Sequence, residues 1–192
     1  PMQHASDTVL KAMGRPERRD KLEALLAMIR DVNPEFALRS TFIVGFPGET
    51  EDDFESLCDF LKRAKLDWVG AFPYSREDHT VAYDLPHQIP EEVKQDRYDT
   101  VMSLLSHCSA ETLKRWIGRK EVVLIDGMTD PSEPLAENYP YYGRCSFQAP
   151  EVDGIIYLRG NAGHYIGEAV EVEISGSDIY DLTGEILENE NK

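Results

Sequence analysis

Cysteine is scarce. The 192 residues contain three, Cys58, Cys108 and Cys145, far apart and in no CxxC or CxxxC spacing. An odd, dispersed set argues against a disulfide framework and against a local zinc or iron–sulfur motif. It fits a reducing, cytoplasmic setting. No run of about 18 apolar residues occurs, so no membrane span is expected, and there is no signal peptide. A nucleophile elbow, a GxxxxGK loop and a paired-histidine motif are all missing. His79, His87, His107 and His164 are scattered with no second ligand at metal spacing, so no metal site is expected. Basic residues are also short: 20 Lys and Arg stand against 36 Asp and Glu, a net charge of −16. Residues 1–118 carry 15 basic and 21 acidic side chains, net −6, whereas the shorter stretch 119–192 carries 5 and 15, net −10. Such a surface repels phosphate backbones and attracts basic proteins or cations, or serves solubility alone. The chain opens at Pro1-Met2-Gln3-His4 without an initiator methionine and reads as a fragment of a longer protein.

What is present is organised around Arg39 to Glu49. The almost wholly apolar run Phe42 to Phe46 ends at Gly45, Pro47 and Gly48, and an acidic helix signal follows from Thr50. That order predicts a buried parallel strand over about 36–45, a tight turn and a helix over about 51–65, with Thr50 as cap and Asp53 three places on. Ser6 is the expected N-cap of a short helix ending near Gly14. A second helix is expected over 17–32, on an apolar face of Leu22, Leu25, Leu26, Ile29 and Val32. Trp68 to Phe72 is a second buried strand, 76–89 a loop, and Pro90 opens a long helix to about Trp116. Its buried face is expected to carry Tyr98, Val101, Met102, Leu105, Cys108 and Leu113, while Cys58 and Cys108 are core-packing cysteines.

After Gly118 the period becomes alternating. Strands are expected at Glu121 to Ile125, Tyr141 to Phe147, Ile155 to Leu158, Ala169 to Ile174 and Ile179 to Leu187. Five short strands in so few residues suggest a small OB-like barrel. Glu171 and Glu173 alternate with Val170, Val172 and Ile174, giving one acidic face and one core face. The expected division is residues 1–117, α/β with strands covered on both faces; 119–187, an all-β barrel; and 188–192, a polar tail. Two strands do not complete a parallel sheet, which strengthens the fragment reading.

Ligands in α/β folds sit at the carboxyl ends of strands. Gly45 to Gly48 could bring backbone N–H groups close to a ligand, or serve turn geometry alone. Glu49 could bind a ligand amine or simply favour the helix dipole. Arg39, on a strand expected to be covered on both faces, needs an anionic partner from protein or ligand. Tyr74 and Ser75 lie at the same rim. His4 could act as acid, base or ligand, or be structural.

Several stretches carry a family resemblance. Pro1-Met-Gln-His-Ala-Ser6, Leu10-Lys-Ala-Met13, Arg39 to Thr50 and Val69-Gly-Ala-Phe-Pro-Tyr-Ser75 resemble the radical S-adenosylmethionine (SAM) methylthiotransferases. Gly143-Arg144, Gln148 to Gly154 and Tyr180 to Gly184 resemble that family's TRAM domain. The PMQHAS and APEVDG segments point to the RimO-like branch, which modifies an aspartate of a small-subunit ribosomal protein. The resemblance implies an α/β fold: a partial (β/α) radical-SAM barrel followed by a small all-β OB-like TRAM barrel. It also implies SAM and two 4Fe–4S clusters in the full-length protein, with the cluster cysteines upstream, none liganded by this stretch and no catalytic residue in it. The chain alone is therefore expected to be inactive. SAM is placed along Gln3, Arg39, Ile43, Gly45, Phe72 and Tyr74. Of the family's GxIxGxxE pattern Ile43 and Gly45 match, Thr41 replaces the first glycine and Glu49 falls one place late. In the holoenzyme one cluster and SAM would generate a radical that abstracts hydrogen. The second would supply or carry sulfur, and SAM would also donate the methyl group. The acidic barrel suits a basic small-subunit ribosomal protein as partner and disfavours tRNA. The alternatives are a tRNA methylthiotransferase of the same family and a non-catalytic protein-docking module.

Overall fold

The computed structural model describes residues 1–161 and 163–187. The tail expected over 188–192 lies outside them. The chain divides into two compact units, Pro1–Ser109 and Ala110–Lys192. Among the described residues no helix is long and apolar enough to cross a membrane.

The first unit runs α1 (Asp7–Ala12), α2 (Arg19–Val32), β1 (Arg39–Val44), α3 (Glu51–Ala64), β2 (Trp68–Pro73) and most of α4 (Glu91–Leu113). β1 and β2 pair in parallel from Arg39 opposite Trp68 to Val44 opposite Pro73. Helices bury one face of this sheet. Phe42, Val44 and Ala71 pack with Leu22 and Leu26 of α2, Leu57, Phe60 and Leu61 of α3, and Val101 and Leu105 of α4. The Phe42 and Phe60 rings tilt together at 6.2 Å, and each fully buried ring contributes about 1.5–3 kcal/mol. The helix α3 starts where its sequence says: the Thr50 hydroxyl accepts from the Asp53 N–H, and the Asp53 carboxylate accepts from the Thr50 N–H. This reciprocal pair satisfies two otherwise orphaned donors.

Two expectations fail here. The sheet is not covered on both faces. Along β1 the burial alternates, with Ser40, Phe42 and Val44 inside and Arg39, Thr41 and Ile43 exposed or half-buried. A continuous apolar run hides this alternation from a sequence reading, because Ile43 looks as core-like as Phe42. Arg39 is accordingly exposed at the start of its strand. Ser6 sits at the N-cap of α1 but makes no side-chain cap there; its hydroxyl donates to Asp53 instead.

The second unit is a closed five-stranded barrel in the order β3-β4-β5-β7-β6. Its strands are β3 (Lys120–Met128), β4 (Tyr141–Cys145), β5 (Ile156–Arg159), β6 (Ala169–Ser177) and β7 (Leu182–Ile186). All neighbours pair antiparallel except β5 with β7. Val123, Ile125, Ile156, Leu158, Val172, Ile174 and Leu182 fill the interior. The alternation expected of β6 holds: Val170, Val172 and Ile174 point in, while Glu171 and Glu173 point out. Glycines allow the closure. A Cβ on Gly143 would meet the Leu124 carbonyl oxygen at 2.2 Å, and one on Gly154 the Tyr180 carbonyl oxygen at 1.8 Å. Trp116, which precedes the first strand, stacks on Phe147 at 4.0 Å with 15° between the rings. The guanidinium groups of Arg115 and Arg119 lie 4.5 and 5.0 Å from the centre of its ring.

Candidate functional site

The open face of β1 and β2 is the natural wall of a site. Arg39, Thr41 and Ile43 share it with Gly70 and Phe72, the register partners of Thr41 and Ile43, and Phe72 is 56% exposed. Gln3 extends the sheet beyond β1. Its N–H donates to the Thr41 carbonyl at 2.9 Å, and its own carbonyl accepts from the Ile43 N–H at 2.8 Å. This one-residue bridge is parallel to Phe42 and is made at φ 68, a left-handed conformation that non-glycine residues adopt rarely. Of the six residues expected to face SAM, Gln3, Arg39, Ile43 and Phe72 thus lie on or beside one open surface. Tyr74 is buried at the end of β2, edge-on to Phe46 at 5.2 Å. Its hydroxyl has no hydrogen-bond partner among the described residues.

The sixth, Gly45, is buried in the turn after β1. It has φ +74, and a Cβ there would strike Lys94 Cγ at 2.5 Å. The missing side chain makes room for Lys94, which is 3% exposed. The backbone donors of this turn, open to a ligand as far as the sequence tells, are used within the chain. Gly45 N–H donates to Glu49 Oε2 at 2.8 Å and Phe46 N–H to the same oxygen at 3.4 Å. Gly48 N–H donates to the His87 carbonyl, and Glu49 N–H to that of Phe46.

Glu49 is therefore the hub of the turn. Its side chain is fully buried, with Arg97 Nη1 at 2.7 Å and His4 Nε2 at 3.5 Å. Arg97 also donates to the Glu49 carbonyl oxygen at 3.1 Å and to Glu51 Oε2 at 3.1 Å. His4 accepts the Ser6 N–H at Nδ1, 2.9 Å away. Its Nε2, 3.5 Å from Glu49 Oε2, has no hydrogen-bond partner among the described residues. One more step links this group to α3. Burial works to raise the Asp53 carboxyl, yet hydrogen bonds from Ser6 and from Thr50 outweigh it and hold the group below the usual carboxylate range. A ligand-binding Glu49 is thus replaced by a structural one.

Sequence reasoning also missed Arg97 and Lys94. A signal existed: Lys94, Arg97, Val101 and Leu105 recur at helical spacing and are all buried. Cations on the buried stripe of a helix require partners inside.

The cysteines offer no cluster. Burial raises the thiols of Cys58 and Cys108. Cys145 is pushed up to about 12 by burial and by Glu121. Among the described residues no group of three His, Cys, Asp or Glu side chains could hold a metal ion.

The small barrel is of the TRAM class: a family model for the TRAM domain matches residues 117–187. Over nearly its full length the chain is similar to curated RimO methylthiotransferases. It is 46% identical over 187 residues to the ribosomal protein uS12 methylthiotransferase RimO of Cronobacter sakazakii, covering 97% of this chain and 41% of that protein. To the proteins of the same description from Salmonella paratyphi A and Salmonella arizonae it is 45% identical over 184 residues, 96% of this chain and 40% of each of theirs. The chain therefore spans about two fifths of the length of the curated relatives it matches.

Proposed function

We propose that this chain forms part of a radical-SAM methylthiotransferase that modifies an aspartate of the small-subunit ribosomal protein uS12. Its first unit would supply one wall of the SAM site and its acidic barrel would dock the substrate. The observation that carries this reading is the similarity to proteins described as uS12 methylthiotransferases, sustained across both units.

The first unit fits a sulfonium nucleoside. Ile43 and Phe72 offer apolar and aromatic surface, Gln3 and Arg39 offer polar groups on the same sheet, and Tyr74 holds an unpartnered hydroxyl at the strand end. Bound there, SAM would supply the methyl group and the adenosyl part. The chain's own residues would orient it: Glu49, held by Arg97 and His4, fixes the turn that follows Ile43. Iron–sulfur clusters do not fit these residues, since the three cysteines are dispersed and their thiols are raised. The two clusters implied by the resemblance would be liganded by other residues of the whole enzyme, and this chain alone would be inactive. A cytoplasmic location follows from a ribosomal substrate.

The barrel favours a protein substrate over tRNA. Its stretch of 5 basic and 15 acidic residues opposes a phosphate backbone. The test is methylthio transfer by the whole protein, reconstituted anaerobically with iron and sulfide and given SAM, a one-electron reductant such as dithionite, and purified uS12 or tRNA. A mass gain of one methylthio group on a uS12 aspartate is expected. Modification of tRNA instead, or no SAM cleavage at all, would overturn the reading.

A further inference from the structure

Strand β3 breaks the rule that the rest of the barrel keeps. In a closed barrel, residues alternate between core and solvent, and β6 obeys with Glu171 and Glu173 outside. On β3 the inward residues Val123 and Ile125 are apolar, but so are three of the five outward ones, Val122, Leu124 and Met128, beside Lys120 and Asp126. Val122 is 63% exposed and Met128 66%. Val122 lies opposite Glu171, and Leu124 lies between Ala169 of β6 and Arg144 of β4. Here the outer surface dips into a groove of about 430 Å³, lined by Val122, Leu124 and Ala169 with Arg144, Ser146 and Glu121. Exposed apolar surface rimmed by polar groups marks interaction sites.

The charges around the groove select the occupant. Arg144 and Asp126 are ion-paired with each other, which leaves Glu121, Glu171 and Glu173 against Lys120, whose register partner is Glu173. We propose that this outward face of β3 is the docking groove for a lysine- or arginine-rich protein segment with interleaved apolar residues, apolar side chains resting on Val122 and Leu124 and cations reaching Glu171 and Glu173. The proposal rests on the reading that a basic protein is the partner of the barrel, and it names the face and the chemistry used.

The test uses the 192-residue chain and two fluorescent peptides of equal charge, one alternating lysine with valine and one alternating lysine with serine, read by anisotropy. The lysine–valine peptide should bind about tenfold tighter, because burying apolar side chains adds to the charge attraction. Val122→Lys and Glu171→Lys, both on exposed positions, should each weaken it about tenfold. Glu137→Lys, an exposed carboxylate in the loop between β3 and β4 that makes the same change in net charge, should leave it within about twofold. Equal binding of the two peptides, or equal losses for Glu171→Lys and Glu137→Lys, overturns the groove and leaves only non-specific attraction. Purified uS12 separates the two ideas. If uS12 binds the Val122→Lys chain at full strength, the groove falls and the methylthiotransferase reading stands. If the peptide behaves as expected but uS12 does not bind, the groove stands and uS12 falls as the partner. Loss of self-association in Val122→Lys without peptide binding would show a contact between copies and overturn the proposal.

Discussion

Glu49 and Arg97 meet at 2.7 Å in a buried ion pair that ties α4 to the turn after β1. The two residues are 48 positions apart in the chain. With Glu49 fully buried and Arg97 nearly so, removing either partner strands a charge in a medium that cannot solvate it.

Arg97→Met should therefore destabilise the first unit by about 3–5 kcal/mol, the usual cost of breaking a buried pair from one side. Urea unfolding followed by circular dichroism checks it. The double variant Glu49→Gln/Arg97→Met should recover part of the loss, because no full charge is then left alone. A double variant as unstable as the sum of the singles would show that the pair does not act as a unit.

Gly45→Ala tests the turn by another route. At φ +74 the left-handed backbone costs a Cβ-bearing residue about 1–2 kcal/mol, and contact with Lys94 adds an overpacking cost of about 1–3 kcal/mol. Adding Lys94→Ala should relieve only the second part. Thermal denaturation of Gly45→Ala, Lys94→Ala and the double variant separates the contributions, the Lys94→Ala single reporting the loss of its pair with Glu91.

Asp53 makes stability depend on pH in a definite direction. Its folded pKa lies below the ordinary aspartate value of 3.8, so its contribution is fully present above the unfolded pKa. It is lost as pH falls through the folded value, because the unfolded chain takes up the proton first. The stability gap between wild type and Asp53→Asn should be constant at neutral pH and narrow below pH 3.8. A gap that widened on acidification would contradict the hydrogen-bonded carboxylate.

Cys145 should be inert in the folded barrel. With its thiol pushed up to about 12 by burial and by Glu121, almost no thiolate exists at neutral pH, and the side chain is buried. Iodoacetamide at neutral pH should leave it unmodified, and the same reagent in denaturant should label it, as peptide mass mapping would show.

Local patterns carried much of the fold. The capping box at Thr50 and Asp53 and the in–out alternation of β6 are short-range features, fixed by residues within a few positions of each other. The β1 strand was legible as a strand but not as a half-open one, since an apolar run reads the same whether one face or two are covered. The site was less legible. Glu49 next to a helix start looked like a dipole-favouring or ligand-facing acid, and only the fold brings Arg97 and His4 to it. Lys94 and Arg97 near Glu91 and Glu92 resembled the exposed ion pairs of any helix surface. Their coincidence with the Val101–Leu105 stripe was the clue.

The closed barrel has a consequence for how it can be read by a partner. Each of the five strands has a hydrogen-bonded neighbour on both sides, so among the described residues no strand offers a full open edge for a peptide to extend the sheet. Recognition must run through side chains alone. On β3 the outward positions recur at every second residue, so an extended partner meets them in step or not at all. A slip of one residue would turn its cations, rather than its apolar side chains, onto Val122 and Leu124. The barrel would thus select its partner by phase as well as by charge.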